Sequence, residues 1–297
     1  MYVITGATGH TGTVTSHALL NEGKKVRVVG RSAEKLQPLA DKGAEVFIGS
    51  LEDESAMTKA FAGATAVYAM IPPNMAAADD FRGYQNRVAK NYVNAIKANN
   101  VKYVVALSSV GAEQAEGVGP VNGLHDLEQH LNGLDGVNVL ALRPGYFMEN
   151  MFGVIGMIKM MNMIGNSTQP DAKMPMIATR DIGLYAARRL SALDFSGKSH
   201  ADIYSPNGEL TMTEVAKVLG AAIGKPDLPY VQFSYEDAIN GMTMMGLPRP
   251  VAEAYAELSR ASNEGRLHHT QPKTAENTML TSLEDFAKIF AAAYNKS

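Results

Sequence analysis

Three glycines spaced three residues apart stand at the front of the chain, in Gly6-Ala7-Thr8-Gly9-His10-Thr11-Gly12. They follow the apolar triplet Tyr2-Val3-Ile4 and open a helix-like stretch from about Thr11 to Asn21. A glycine turn between a strand and a helix start is the context a phosphate cradle requires. Gly6 lets the chain turn tightly off the strand. Gly9 removes a Cβ, so the backbone can approach a pyrophosphate. Gly12 lets the helix pack close to the sheet. The free N–H groups of that first turn, His10 among them, carry a partial positive charge toward an anion. Thr8 and Thr11 add hydroxyls. The plainer reading is a structural strand–turn–helix, and the spacing is GxxGxxG rather than GxGxxG.

A second group of polar residues sits where the next strand, Val26 to Val29, runs out. A carboxylate there would hold a ribose 2′-hydroxyl and select NAD. This chain instead has Gly30-Arg31-Ser32, with Lys35 one turn further on. A guanidinium beside a hydroxyl suits a 2′-phosphate, which it can bind bidentately. The expected cofactor is therefore NADP(H) rather than NAD(H). Ser50-Leu51 follows the third strand, Met70-Ile71-Pro72 the fourth and Ser108-Ser109 the fifth. In an open α/β sheet these carboxyl ends share one crevice, so all of these positions are candidate cofactor contacts.

The elements that would position them alternate regularly. Strand-like runs at 2–4, 26–29, 44–48, 66–70, 101–107 and 137–142 are separated by helix-like runs at 11–21, 33–41, 54–61, 79–99 and 124–131. The strands are short and nearly all apolar, as expected when helices cover both faces. The pattern predicts an α/β fold: a Rossmann-type, doubly wound parallel sheet. After Arg143 it changes. Helices are expected at 180–193, 210–223, 234–246, 249–262 and 282–294, with Thr211 and Glu214 placed to form a capping box. The expected organisation is a cofactor-binding domain over 1–150 and a smaller, mainly helical substrate-binding region over 151–297. A strand near 201–204 would return to the sheet.

With 27 basic and 30 acidic residues, the chain lacks the basic excess of a nucleic-acid or polybasic membrane surface. It has no cysteine, which removes disulfides and thiolate chemistry. The first strand is cut by glycines, so it does not read as a secretory signal. These features predict a cytoplasmic protein with no membrane or nucleic-acid partner. No metal site is expected, because His268-His269 has no companions at ligand spacing.

These residues resemble the NmrA-like group of atypical short-chain dehydrogenases. The likeness rests on Gly6 to Gly12, Val26 to Arg31, Ser108-Ser109-Val110, Leu142 to Asn150 and Thr281 to Phe286. It implies an NAD(P)-binding fold over nearly the whole chain. It also implies that Pro144 lies along the nicotinamide and that Tyr146, Phe147 and Asn150 face substrate. Members of the group include NADP(H)-dependent quinone and dye reductases, and also redox-sensing regulators.

The wider superfamily uses a Tyr-x-x-x-Lys pair to protonate the substrate oxygen. Here Pro120 and Leu124 occupy those positions, four residues apart and upstream of Glu128. His125 is the nearest candidate catalytic acid; a locally bonded helix histidine is the plainer reading. Without an internal acid, reduction of a strong hydride acceptor needs mainly close positioning and an apolar pocket. Met148, Met151, Met157, Met160, Met161 and Met163, with Met242, Met244 and Met245, are candidates to line one, although core packing explains any single one of them better. The expected function is hydride transfer from NADPH to a quinone-like or other conjugated small molecule. The competing expectation is a non-catalytic NADP(H) sensor that binds a partner protein, and a weaker third is an epimerase or dehydratase. The helix over 79–99 is a candidate homodimer face.

Overall fold

A computed structural model describes residues 1–297 and contains the alternation that the apolar runs predict. The seven-stranded sheet is built from β1 (Tyr2–Ile4), β2 (Val26–Gly30), β3 (Glu45–Ile48), β4 (Ala66–Ala69), β5 (Tyr103–Leu107), β6 (Asn138–Pro144) and a late strand, Lys198–Ile203. The spatial order is β3-β2-β1-β4-β5-β6 and then the late strand, with every neighbouring pair parallel. Successive side chains point to opposite faces, and both faces are buried. Ile4, Val28, Tyr68, Val105 and Leu140 pack on one side; Val3, Val29, Val67, Val104 and Val139 pack on the other. This two-sided burial is why the strands read as continuous apolar runs.

Helices α1 (His10–Asn21), α2 (Ala33–Ala40), α3 (Glu54–Ala60), α4 (Phe81–Ala98) and α5 (Asn122–Asn132) connect these strands. A 3₁₀ segment, Met75–Asp80, precedes α4, and another, Gly119–Val121, precedes α5. The outer face of α4, the expected dimer face, carries exposed Arg82, Arg87, Lys90 and Lys97.

The second half interleaves with the first. After the two-residue β7 (Tyr146–Phe147) come the 3₁₀ segment Met148–Val154, α6 (Ile155–Met161), β8 (Ile164–Asn166), β9 (Met174–Ile177), α7 (Thr179–Ala192) and β10 (Lys198–Ile203). Strand β10 pairs with β6 and extends the main sheet, so the strand expected near 201–204 does return. Helix α7 packs against α1 at Gly183, where a Cβ would stand 2.7 Å from the Thr11 carbonyl oxygen. The Thr15 hydroxyl bridges the two helices, 2.9 Å from the Thr11 carbonyl oxygen and 3.1 Å from that of Gly183.

The rest is β11 (Glu209–Leu210), α8 (Met212–Ala222), β12 (Tyr230–Gln232), α9 (Tyr235–Met244), α10 (Arg249–Asn263) and α11 (Leu283–Lys296). Strands β11, β9 and β7 make one small sheet, and β12 with β8 another. Neither small sheet is signalled by the mainly helical pattern. Met148, Met151, Ile155, Leu219, Phe286 and Phe290 form a separate core beneath them. Met160, Met161, Met244 and Met245 are exposed, so the methionines do not converge on one pocket.

The capping box at α8 forms as the sequence predicts. Glu214 N–H donates to Thr211 Oγ1 at 3.1 Å, and Thr211 N–H donates to Glu214 Oε2 at 2.8 Å. Thr211→Ala is expected to lower unfolding free energy by about 1 kcal/mol, read from the urea midpoint at unchanged slope.

Candidate functional site

The strand order reverses direction between β1 and β4, and the crevice outside their carboxyl ends is where open α/β sheets bind ligands. Thr5 pins this point. Its N–H and its hydroxyl both donate to the Tyr68 carbonyl oxygen, at 3.1 and 2.8 Å. Its Oγ1 accepts the Met70 N–H at 3.1 Å. Tyr92, reaching up from α4, donates to the Met70 carbonyl oxygen at 2.6 Å. The two chain segments that leave β1 and β4 are thereby held side by side.

Gly6 follows Thr5 with φ +60°, and a Cβ there would lie 2.2 Å from Met70 Sδ. Gly9 N–H closes the turn on the Gly6 carbonyl oxygen at 2.9 Å. A Cβ on Gly12 would stand 2.4 Å from the Gly6 carbonyl oxygen, so α1 can lie this close to the loop only with glycine there. Helix α1 has no side-chain cap, and its first internal acceptor, the Gly9 carbonyl, takes Thr13 N–H. The N–H groups of His10, Thr11 and Gly12 are left without a protein acceptor. Its neighbours α2, α3 and α4 are instead capped by Ser32, Asp53 and Asp80.

A cleft of about 180 Å³ opens beside this loop. Gly6, Thr8, Gly9, Arg31, Ser50, Leu51, Met70 and Pro72 line it, so eight positions that the sequence singles out are brought together. The exposed Thr8-Gly9-His10 tip stands at its edge. Arg31 is its only cationic lining residue. Ser32 and Lys35 lie just beyond, where Ser32 Oγ accepts the Lys35 N–H at 3.3 Å to cap α2. Ile71 is half-buried against the α4 side of the core, and Ser109 is half-buried beyond β5.

Two hydroxyls expected in the crevice are engaged elsewhere. Thr11 is buried, and its Oγ1 accepts the Tyr68 hydroxyl at 3.0 Å, so only its backbone N–H is offered to a ligand. Ser108 is buried and donates to Glu128 Oε1 at 2.5 Å. Glu128 is also paired with Arg143, which donates through Nε at 2.9 Å and Nη2 at 2.7 Å. Arg143 reaches Glu113 as well, at 3.2 Å. This buried pair fixes the end of β6, where Pro144 is the last buried residue of the strand.

The sequence reading missed Tyr84, Asn74 and Glu52, which complete the cleft wall. Tyr84 donates to the Pro72 carbonyl oxygen at 3.0 Å. Burial pushes its phenol up to about 12, with Glu52 adding and Arg31 opposing. Asn74 donates to Glu52 at 3.3 Å. Only the strand-end position of Glu52 gave a signal; the others arrive from the segment after β4 and from α4.

His125 is half-buried on α5, with Nδ1 2.8 Å from the Ala112 carbonyl oxygen. That contact places the proton of the neutral ring on Nδ1 and leaves Nε2 as its free acceptor. Tyr146 and Phe147 are half-buried on β7 and Asn150 is exposed just after it. Helix α10 closes over this edge of the sheet. It packs on the 3₁₀ segments Met75–Asp80 and Gly119–Val121, and at Gly119 a Cβ would meet the Ala254 carbonyl oxygen at 2.0 Å. No helix is long and apolar enough to cross a membrane.

Gly12→Ala is expected to push α1 off the loop and abolish dinucleotide binding in calorimetry. Glu128→Ala, which strands the buried Arg143 guanidinium, is expected to cost about 3–5 kcal/mol of stability in urea unfolding.

With this geometry in view, comparison with known proteins is specific. The model of the NmrA-like family matches residues 2–287. An NAD(P)H azoreductase from Xenophilus azovorans is 27% identical over 301 residues, covering 99% of each chain. Among solved structures, the Escherichia coli NADPH-dependent quinone oxidoreductase in complex with NADPH superposes with a TM-score of 0.83 at 22% identity, covering 97% of this chain and 99% of that one. The Citrobacter sp. triphenylmethane reductase in complex with NADP(H) gives a TM-score of 0.80 at 22% identity, covering 98% of this chain and 100% of that one.

Proposed function

The chain belongs to the NmrA-like family, and on that premise we propose that it is an NADPH-dependent oxidoreductase that reduces a quinone-like or dye-like conjugated small molecule. The observation that carries the reading is the glycine cradle and the Arg31 guanidinium opening into one cleft at the β1/β4 reversal. The residues fit a phosphorylated dinucleotide. Backbone N–H groups at the start of α1 face the pyrophosphate, and Arg31, helped by Ser32 and Lys35, meets the 2′-phosphate. Tyr84, Ser50 and Leu51 wall the adenosine end. The cleft takes in one end of so long a ligand; Ser109, Pro144 and Tyr146 stand at the strand ends toward which the other end would run.

Bound there, NADPH supplies the hydride. The chain's own work is to hold two planar reactants in contact and to keep water from between them. The reading also draws on the azoreductase, the quinone oxidoreductase and the triphenylmethane reductase, whose names all denote reduction of conjugated molecules. Acceptors of that kind take hydride readily, which suits a chain with Pro120 and Leu124 in place of the superfamily's acid pair.

Purified protein mixed with NADPH and a panel of quinones and azo dyes is expected to oxidise the cofactor at 340 nm (about the usual nicotinamide band) in an acceptor-dependent manner. Tight NADPH binding with no turnover on any acceptor returns the protein to a binding-only role. Arg31→Asp is expected to weaken NADPH by about 30-fold or more and to change NADH affinity far less, both read by calorimetry. Equal losses for the two cofactors remove the 2′-phosphate from the argument. His125→Ala tests whether the ring supplies a proton: a fall in kcat with a flattened pH profile assigns it that role, and unchanged kcat leaves it structural.

A further inference from the structure

We propose that Met70 is an oxidation switch on the cofactor cleft: a peroxide converts its thioether to the sulfoxide, and the oxidised protein binds NADP(H) more weakly. The inference rests on the cofactor site of the reading above and adds its regulation. Met70 directly follows β4, at the point where the strand order reverses. It is half-buried, and it is the one methionine among the residues lining the cleft. Its side chain lies across the first glycine of the cradle. A Cβ on Gly6 would stand 2.7 Å from Met70 Cγ and closer still to Sδ, so the sulfur already rests on the loop backbone.

Neither partner in that contact is free to retreat. The Met70 N–H donates to Thr5 Oγ1 at 3.1 Å, and its carbonyl oxygen accepts the Tyr92 hydroxyl at 2.6 Å. Tyr92 is itself fully buried on α4. On the loop side, the Gly6 carbonyl oxygen accepts the Gly9 N–H at 2.9 Å, and Thr5 holds the Tyr68 carbonyl oxygen at 2.8 Å. The sulfur has the loop on one side and the cleft on the other. An oxygen added toward Gly6 forces the cradle and the start of α1 away from the end of β4. An oxygen added toward the cleft sets the negative end of an S–O dipole against the phosphates that the α1 N–H groups would hold. Both outcomes weaken an anionic dinucleotide.

The step balances with a peroxide as its only co-reactant. The sulfur attacks one oxygen of hydrogen peroxide, the S–O bond forms and the O–O bond breaks. The proton left on the new oxygen joins the departing hydroxide, which leaves as water. Sulfur is oxidised and the peroxide is reduced. Sulfoxide reduction returns the thioether, so the change is reversible. Other methionines do not share this setting. Met148, Met151 and Met176 are buried in the second core, and Met244 and Met245 are exposed and line no part of the cleft.

The test uses hydrogen peroxide, removed with catalase before binding is read. Peptide mass spectrometry follows the sulfoxide at Met70 in wild type. It is expected to form in the free protein and to be suppressed when NADP+ is present throughout, while Met244 and Met245 oxidise alike in both. Oxidised wild type is expected to bind NADP+ about tenfold more weakly or worse in calorimetry, the scale of forcing an atom into a packed contact. Met70→Leu, compared only with itself before and after the same treatment, is expected to lose no affinity. Any of four results overturns the proposal: a Met70 thioether that survives while Met244 and Met245 are fully oxidised, no protection by NADP+, unchanged affinity once Met70 is the sulfoxide, or a Leu variant that loses as much as wild type. Untreated wild type that binds no NADP+ ends the cofactor reading and this inference together. A wild type that binds NADP+, switches as described and reduces no acceptor ends the reductase reading alone.

Discussion

The hydroxyl of Thr5 is the constraint on which the site depends. It donates once, to the Tyr68 carbonyl, accepts from Met70 N–H, and lies 3.0 Å from the Tyr92 hydroxyl, so it ties β1 to the end of β4 and to α4. Helices diverge to opposite faces of the sheet from that boundary, and the crevice exists because they do. The tie extends the β1/β4 pairing past the last paired residues and sets the distance between the loop after β1 and the segment after β4. The loop's own geometry follows: Gly6 lies under the Met70 side chain and Gly12 lies on the Gly6 carbonyl, each at a distance that admits no Cβ. Electrostatics is added last, by an uncapped helix start and a guanidinium, and only works because sterics has already aimed both into the same space.

The buried Arg143–Glu128 pair plays a corresponding part at the far end of the crevice. It joins β6 to α5, takes up the Ser108 hydroxyl, and so holds the strand ends toward which the reacting half of a dinucleotide would extend. An ion pair this deep adds little net stability over apolar packing, but it has one geometry, and loss of either partner leaves a charge with no escape. Ser108 is therefore part of the frame that holds the ends of β5 and β6.

Much of this was legible in the residues alone, and for identifiable reasons. The strands are apolar on both faces, the loop glycines are locally spaced, and the Thr211–Glu214 cap spans a single turn, so each is a short-range pattern. What escaped was set by distant partners. Thr11 and Ser108 are polar residues at strand or helix ends, as a ligand contact would be. Their hydroxyls are taken by Tyr68 and Glu128, which are 57 and 20 residues away in sequence. Tyr84 enters the cleft from mid-helix, where its neighbours say only that it is buried. Strands β7 and β9 are too short for a period-two pattern, and Pro175 sits within β9. The methionines, candidates for a lining but better explained singly by core packing, are divided between the second core and the surface, since residues close in sequence on a helix face different ways.

Helix α7 and strand β10 belong to the second half of the chain and to the first half's core. Ile177, Ile182, Tyr185 and Ile203 pack with Ile4, Val28 and Leu142 in one cluster. The cofactor layer is therefore discontinuous in sequence, and the cap is inserted in two pieces on either side of it. A fragment ending near residue 150 would present a raw apolar face to water, and a chimaera made by joining one relative's front half to another's back half would mismatch that cluster. Recombination that respects the architecture exchanges the segments before α7 and after β10 together and leaves the span between them with its own first half.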